Sequence, residues 1–443
     1  MPSSSPEKGT GQQSFLRTAA SGAALHARTP QPNQEEATPP EGERPVFQAP
    51  APPQEIIDRL QDWPCFAALA IRLDRPHAPA HNAVDESLAG CLESMTGAYS
   101  GVWFALQDGR YGAALPEQDT LAAEASVRRL QMDLAQSGAG TISVGISRFP
   151  QLEFSRLDVL QNACKALNHA AFFGPGSIVS FDAVSLNISG DHIYQNGDLA
   201  AAIAEYRTAL RLDPGNVNVH NSLGICLSQS GDHDGARIAF EKAQRLDPQE
   251  AMAVYNQGVL CLLEKKPAAA LAWFRQAYAL ETQTFEIPFQ IGKLLSEQKA
   301  YAEAIPYLEK AIEIRNTNAP AHTLLGRCRA SLGQTHPAIA AYQRAVKINP
   351  YDAAALSALG SLYDVKGENP EICVTFCRQS VAIAPDNGLF RLRLARLYHK
   401  HNQLERALAE YERATALGCD ASHQIADLQE QLAAGDKSKQ YCA

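Results

Sequence analysis

The sequence predicts an α+β multidomain chain in which an unstructured leader, a small α/β domain and an all-α superhelical solenoid of paired helices follow one another. Three observations predict it. Residues 1–54 are rich in Pro, Ser, Gln, Glu and Ala. Between residues 55 and 182, apolar runs alternate with stretches of helical period. Beyond them six glycines, Gly190, Gly224, Gly258, Gly292, Gly326 and Gly360, recur every 34 residues.

The leader holds QPNQEEATPPEGERPVFQAPAPPQE, which cannot bury enough surface to offset its chain entropy, so residues 1–54 are expected to be disordered. In residues 55–182, CFAALAIRL, GVWFAL and TISVGIS read as buried strands. DESLAGCLESM, TLAAEASVRRLQMDLAQ and LDVLQNACKALNHAAF read as the helices between them, which is the alternation of an α/β layer structure.

The 34-residue step decides the architecture of residues 183–419. Ala202, Ala236, Ala270, Ala304 and Ala338 keep it, as do Tyr206, Phe240, Phe274, Leu308 and Tyr342, and Ala209, Ala243, Ala277, Ala311 and Ala345. Pro214, Pro248 and Pro350 close three of the units. Two antiparallel helices approach closely only where side chains are small, and a large residue then fills the gap to the next unit. One such unit cannot bury its apolar face alone, so units stack. In the sixth unit Cys373, Cys377 and Ser380 stand for Ala, aromatic and Ala, one residue out of phase after Gly367–Pro370, and the seventh runs Ala395, Ala407, Tyr411, Ala414. Seven units result, with residues 420–443 as a capping helix and tail. The pattern resembles the tetratricopeptide repeat (TPR).

The resemblance implies a protein-binding groove lined by the first helix of each pair, helix A. Projecting the family's groove positions places Met252, Tyr255, Val259 and Leu262 there, then Phe289 and Lys293, then Arg327, then Leu392, Arg396 and His399, with Arg393 and Lys400 nearby. This groove is apolar in its middle and basic toward the C-terminus, which suits an amphipathic or acidic peptide segment. Asn187, Asp191, Asn221 and Ile225 stand where chaperone-binding TPRs carry a Lys and Asn carboxylate clamp, so a chaperone tail is not expected.

The order of elements in 55–182 resembles the diguanylate cyclase (GGDEF) family, most clearly in TISVGISRFP, LDVLQNACKALNHAAFFGPGSIVSF and GRYGAALPEQDTLAAEASVRRLQMDL. The resemblance implies a bacterial protein and a palm-like fold. The family's chemistry needs metal-binding carboxylates at the end of the first strand and in its signature turn. Aligned on Gly112–Pro116, that turn falls on Gln107–Tyr111, so Gly109 and Arg110 replace the acidic pair. Arg72 takes the first-strand metal position, with Asp74 two residues on, and Pro76–His81 replaces the base-binding segment. A cation repels Mg²⁺ at a ligand position. The reading is therefore a non-catalytic scaffold with no cofactor, its degenerate cyclase-like domain a regulatory or dimerisation module. A nucleotide or cyclic di-GMP sensor signalling through the repeats, with Arg72 and Arg110 meeting phosphates, is the alternative, and an active cyclase with unusual ligands is the third.

Bulk composition agrees with a binding protein. The 443 residues are 45% apolar and carry a net charge of −9, without a Lys/Arg block, which argues against nucleic acid as partner. No apolar run approaches the ~18 residues of a membrane span, and the start, MPSSSPEKGTGQQSF, lacks a signal-peptide core, so a cytoplasmic location is expected. The ten cysteines are scattered, and the Cys373–Cys377 pair reads as small core residues rather than metal ligands. His77 with His81, and His399 with His401, lack a third ligand at metal spacing.

Overall fold

The computed structural model describes residues 52–74, 82–107, 109–137 and 140–441. The leader to residue 51, the Pro76–His81 segment and Asp108 lie outside them. The chain divides into two compact units, one ending at Glu264 and the other starting at Lys265.

The first unit opens with a helix that the sequence reading did not anticipate, α1 (Gln54–Gln61), followed by β1 (Phe66–Asp74), α2 (Asn82–Ala98), β2 (Val102–Ala105), β3 (Arg110–Pro116), α3 (Thr120–Ser137), β4 (Thr141–Phe149), α4 (Arg156–Ala170) and β5 (Ile178–Ser180). The sheet order is β2-β3-β1-β4-β5; only β4 and β5 run parallel. Alternation along β1 divides two cores. Ala67, Leu69, Ile71 and Leu73 pack with Leu88, Leu92, Val127 and Leu134 of α2 and α3. Phe66, Ala68 and Ala70 pack with Leu60 of α1 and Val159, Ala163 and Leu167 of α4. Helix α4 comes so close to β4 that a Cβ on Gly145 would lie 2.1 Å from the Ala163 carbonyl oxygen. The carbonyls of Leu60, in the last turn of α1, and of Trp63, just after it, accept from the Arg156 guanidinium at 2.8 and 3.1 Å.

Only Phe181 and Asp182 separate β5 from the first helix of the repeats, α5 (Ala183–Gln195), and Asp182 caps it by accepting from the Ser185 amide at 2.8 Å. His169 of α4 lies 3.2 Å from the Ser185 hydroxyl. Lys165 of α4 pairs at 2.6 Å with Glu205 of α6 (Leu199–Leu212), and the two side chains are mostly buried. The unit continues with α7 (Val217–Ser230), α8 (His233–Leu246) and α9 (Ala251–Leu263).

The second unit carries α10 (Pro267–Leu280), α11 (Glu286–Glu297), α12 (Tyr301–Ile314), α13 (Ala319–Ser331), α14 (Thr335–Ile348), α15 (Ala353–Lys366), α16 (Pro370–Ile383), α17 (Gly388–Lys400), α18 (Leu404–Ala416) and α19 (Ser422–Tyr441). From α5 to α18 the helices alternate in chain order as helix A and helix B. Asx side chains start many of them: Asn216, Asp232, Asn318, Asp352 and Asn387 each accept from a backbone amide in the first turn. The small residue of helix A meets the large residue of helix B in its own pair, a contact the sequence reading had not assigned to the large residue. A Cβ would lie 2.5 Å from the Tyr206 ring at Gly190, 2.5 Å from Phe240 at Gly224, 2.6 Å from Leu308 at Gly292 and 2.9 Å from Tyr342 at Gly326. In the sixth pair Cys377 fills the same space, its Sγ 2.5 Å from a Cβ on Gly360. Burial pushes that thiol up to about 12, so Cys377 packs as a small apolar core residue. Leu428 and Ala421, in and just before α19, are buried in the last core cluster.

Candidate functional site

Residues four apart share a helix face, so each A helix contributes one residue to each of two sets, or rows, of equivalent positions. The first is Asn187, Asn221, Tyr255, Phe289, Thr323, Ser357 and Leu392; the second is Asp191, Ile225, Val259, Lys293, Arg327, Ser361 and Arg396. Seven of the ten groove residues expected from the sequence fall on these rows, and Met252, Leu262 and His399 flank them.

In the first unit the rows are buried. Every residue from Asn221 to Ser228 on α7 and from Ala253 to Leu260 on α9 is enclosed. Tyr255 is 0% and Val259 4% exposed, and Met252 and Leu262 are partly buried. The expectation that Tyr255 and Val259 line an open groove is thus corrected: both are core side chains. The clamp positions are also inside. Asp191 accepts from the Tyr206 hydroxyl at 2.7 Å and from Asn187 Nδ2 at 3.3 Å, and Asn221 Oδ1 accepts from Asn256 Nδ2 at 2.9 Å. Burial dominates at Asp191 and raises its carboxyl to about 6 despite these bonds.

In the second unit the apolar members are again core. Phe289 is 7% exposed and stacks on Phe285 with centroids 5.2 Å apart, and Leu392 belongs to the cluster around Tyr398 and Tyr411. These two are corrected in the same sense. A one-sided helix-A face was assumed; here α11 is buried on every side from Glu286 to Gly292.

The polar members stay accessible. Arg327 and Arg396 are exposed, and Lys293, Thr323, Ser361 and His399 are partly so. Arg327 of α13 reaches back to α11, donating to the Ser296 hydroxyl from Nε at 3.2 Å and Nη2 at 2.8 Å. Arg393 of α17 reaches back to α15 in the same way and donates to the Ser357 hydroxyl at 3.2 Å. Arg393 and Arg327 both act on the Tyr342 hydroxyl, which burial holds up at about 12, and Arg396 lies in the field of Arg393. Burial lowers the Arg393 guanidinium from its ordinary value. The arrangement presents guanidinium groups on α13 and α17, with Ser361 of α15 between them, and has the donors to bind oxyanions.

In the sheet domain, Arg72 stands opposite Arg110 of β3 and Ser143 of β4. Arg110 is 7% exposed and donates to the Gln107 carbonyl at 3.3 Å. The Asp74 carboxylate accepts from the Ser143 hydroxyl and the Gly176 amide, both at 2.7 Å, and ties β1 to β4 and to the turn before β5. Among the described residues no cluster of three or more His, Cys, Asp or Glu is placed to hold a metal ion, and no helix is long and apolar enough to cross a membrane.

Tetratricopeptide-repeat models match residues 189–251, 227–283 and 295–362. No curated protein matches the chain in sequence. Among solved structures, the chain is similar to YrrB, described as a TPR protein with an unusual peptide-binding site, at 22% identity over 42% of this chain and 95% of that one, with a TM-score of 0.38. It is similar to MamA at 25% identity over 36% of this chain and 94% of that one, TM-score 0.34. It is similar to pilF of Pseudomonas aeruginosa at 18% identity over 49% of this chain and 97% of that one, TM-score 0.44.

Proposed function

We propose that this chain is a non-catalytic scaffold whose tetratricopeptide repeats hold a peptide segment of a partner protein on the helix-A face of the second unit. The observation that carries this reading is the row Lys293, Arg327, Ser361 and Arg396, which stays accessible where the matching row of the first unit is sealed. A photocrosslinker placed at Ser361 in the full chain tests it, with one at Tyr351, 76% exposed and off the row, as control. Protein adducts from Ser361 and not from Tyr351 are expected. No adducts, or equal adducts from both, overturn the reading.

The sheet domain fits the same proposal as a cyclase-like module without catalysis, regulatory or dimerising. Two features support it: Arg110 begins the strand after the signature-like turn, opposite Arg72, and Asp74 already spends its carboxylate on Ser143 and Gly176. Titration with GTP and cyclic di-GMP in Mg²⁺ tests it. Formation of a cyclic dinucleotide would make the domain an enzyme. Binding without turnover would favour a sensor built on Arg72 and Arg110.

A further inference from the structure

We infer that the partner segment is acidic, and that Arg393 at the centre, with Arg327 and Arg396 beside it, receives its carboxylates. This rests on the reading of the second unit as peptide-binding and names the chemistry of what it binds.

The first argument is charge. Many cations of the second unit have a carboxylate: Arg315 has Glu286, Arg329 has Glu309, Lys400 has Asp364, and Arg391 has Glu410. Among the described residues, no ion pair forms at Arg327, Arg393 or Arg396; the first two find serine hydroxyls instead. A hydroxyl accepts a hydrogen bond but brings no opposite charge. A partly buried guanidinium without a counter-ion is costly, and an arriving carboxylate relieves that cost. The acids on the same side are already engaged. Asp352 accepts from Thr323 at 2.6 Å and caps α15, and Asp364 pairs with Lys400 at 2.8 Å.

The second argument is spacing. Helices α11, α13, α15 and α17 touch in succession, which sets their row residues roughly 8–10 Å apart. An extended peptide rises about 3.3 Å per residue. Carboxylates every third residue or so would meet successive helices, and about ten residues would cover the row. Arg393 reaches across from α17 to α15, so it bridges the gap that Ser361 leaves between Arg327 and Arg396.

Fluorescence anisotropy on the full chain tests this, with labelled Ser/Gly peptides of about twelve residues carrying Glu, Gln or Lys at every third position, or phosphoserine at half as many positions so that its total charge matches that of the Glu peptide. The Glu peptide is expected to bind at least ~10-fold tighter than the Gln peptide, with the difference shrinking as salt rises. Arg393→Met is expected to weaken the Glu peptide about tenfold, and Arg393→Lys to restore part of it. Arg327→Gln with Arg396→Gln supplies a second loss from two exposed residues whose replacement leaves the helical circular dichroism unchanged. Equal binding of Glu and Gln peptides, no binding of either, or an unaltered Glu peptide affinity in both variants overturns the inference. Preference for phosphoserine over Glu at equal charge overturns the carboxylate assignment. If the arginine variants still crosslink a partner from Ser361, the scaffold reading stands and this inference falls.

Discussion

In the unit that ends at Glu264, the residue after the small residue of helix A is Asp191, Ile225 or Val259, and all three are buried; in the unit that begins at Lys265 it is Lys293, Arg327, Ser361 or Arg396, and none is. The pairs share one backbone plan and one contact between helix A and helix B. The difference shows that a repeat scaffold fixes where a side chain stands but not what it meets there. In the first unit the row is spent on packing and internal hydrogen bonds. In the second it stays accessible to solvent.

The largest effect expected from breaking this contrast is at Phe289, a groove residue by sequence and a core residue by structure. Phe289→Ala should cost roughly 3–5 kcal/mol in urea unfolding, the scale of a buried aromatic deletion; an unchanged midpoint would return Phe289 to the surface. Next come the close contacts common to both units. Gly224→Leu and Gly326→Leu should each cost about 1–3 kcal/mol by overpacking against Phe240 and Tyr342. Loss at one and not the other in thermal melts would mean that the two units do not share the contact.

A smaller effect separates the rows by pH. Asp191 titrates at about 6 when folded, against an ordinary value of 3.8. Between these values the folded chain keeps a proton that the unfolded chain has lost, so the Asp191 contribution makes stability fall as pH rises through that window and level off above it. Asp191→Asn should remove that fall, as read by urea midpoints on either side of the window; an identical pH profile in the variant would place the titration elsewhere. The smallest stability effect belongs to the cationic row. Arg327→Gln with Arg396→Gln should stay within about 0.5 kcal/mol of the parent at each site, and a larger loss in thermal melts would give these arginines a packing role.

Much of the fold was legible because its signals are local or periodic. The 34-residue step placed the small and large positions of the helix pairs, though not that Gly190 meets Tyr206 and Gly224 meets Phe240, and the apolar run CFAALAIRL assigned β1. Helix α1 was not legible, since QEIIDRLQ follows a proline-rich run and is held by Arg156 and by the core against α4, both far along the chain. The site was half legible. Arg327 and Arg396 follow from phase alone. Whether Tyr255 or Phe289 is open depends on what packs against helix A, and that information lies outside the repeat. The lone guanidinium of Arg393 needed Ser357, 36 residues earlier, to be seen.

The two-residue join between β5 and α5 has a mechanical consequence. Phe181 donates its amide to Ile146 of β4 at 2.7 Å, Asp182 caps the next helix, and Lys165 and His169 fasten α4 to Glu205 and Ser185. There is no swivel in this stretch where torsion of the sheet could dissipate. These contacts tie the sheet to the first helix pair, so the sheet serves as the bookend of that pair. A fragment cut at Ala183 would lose that bookend and leave the first pair with a raw flank.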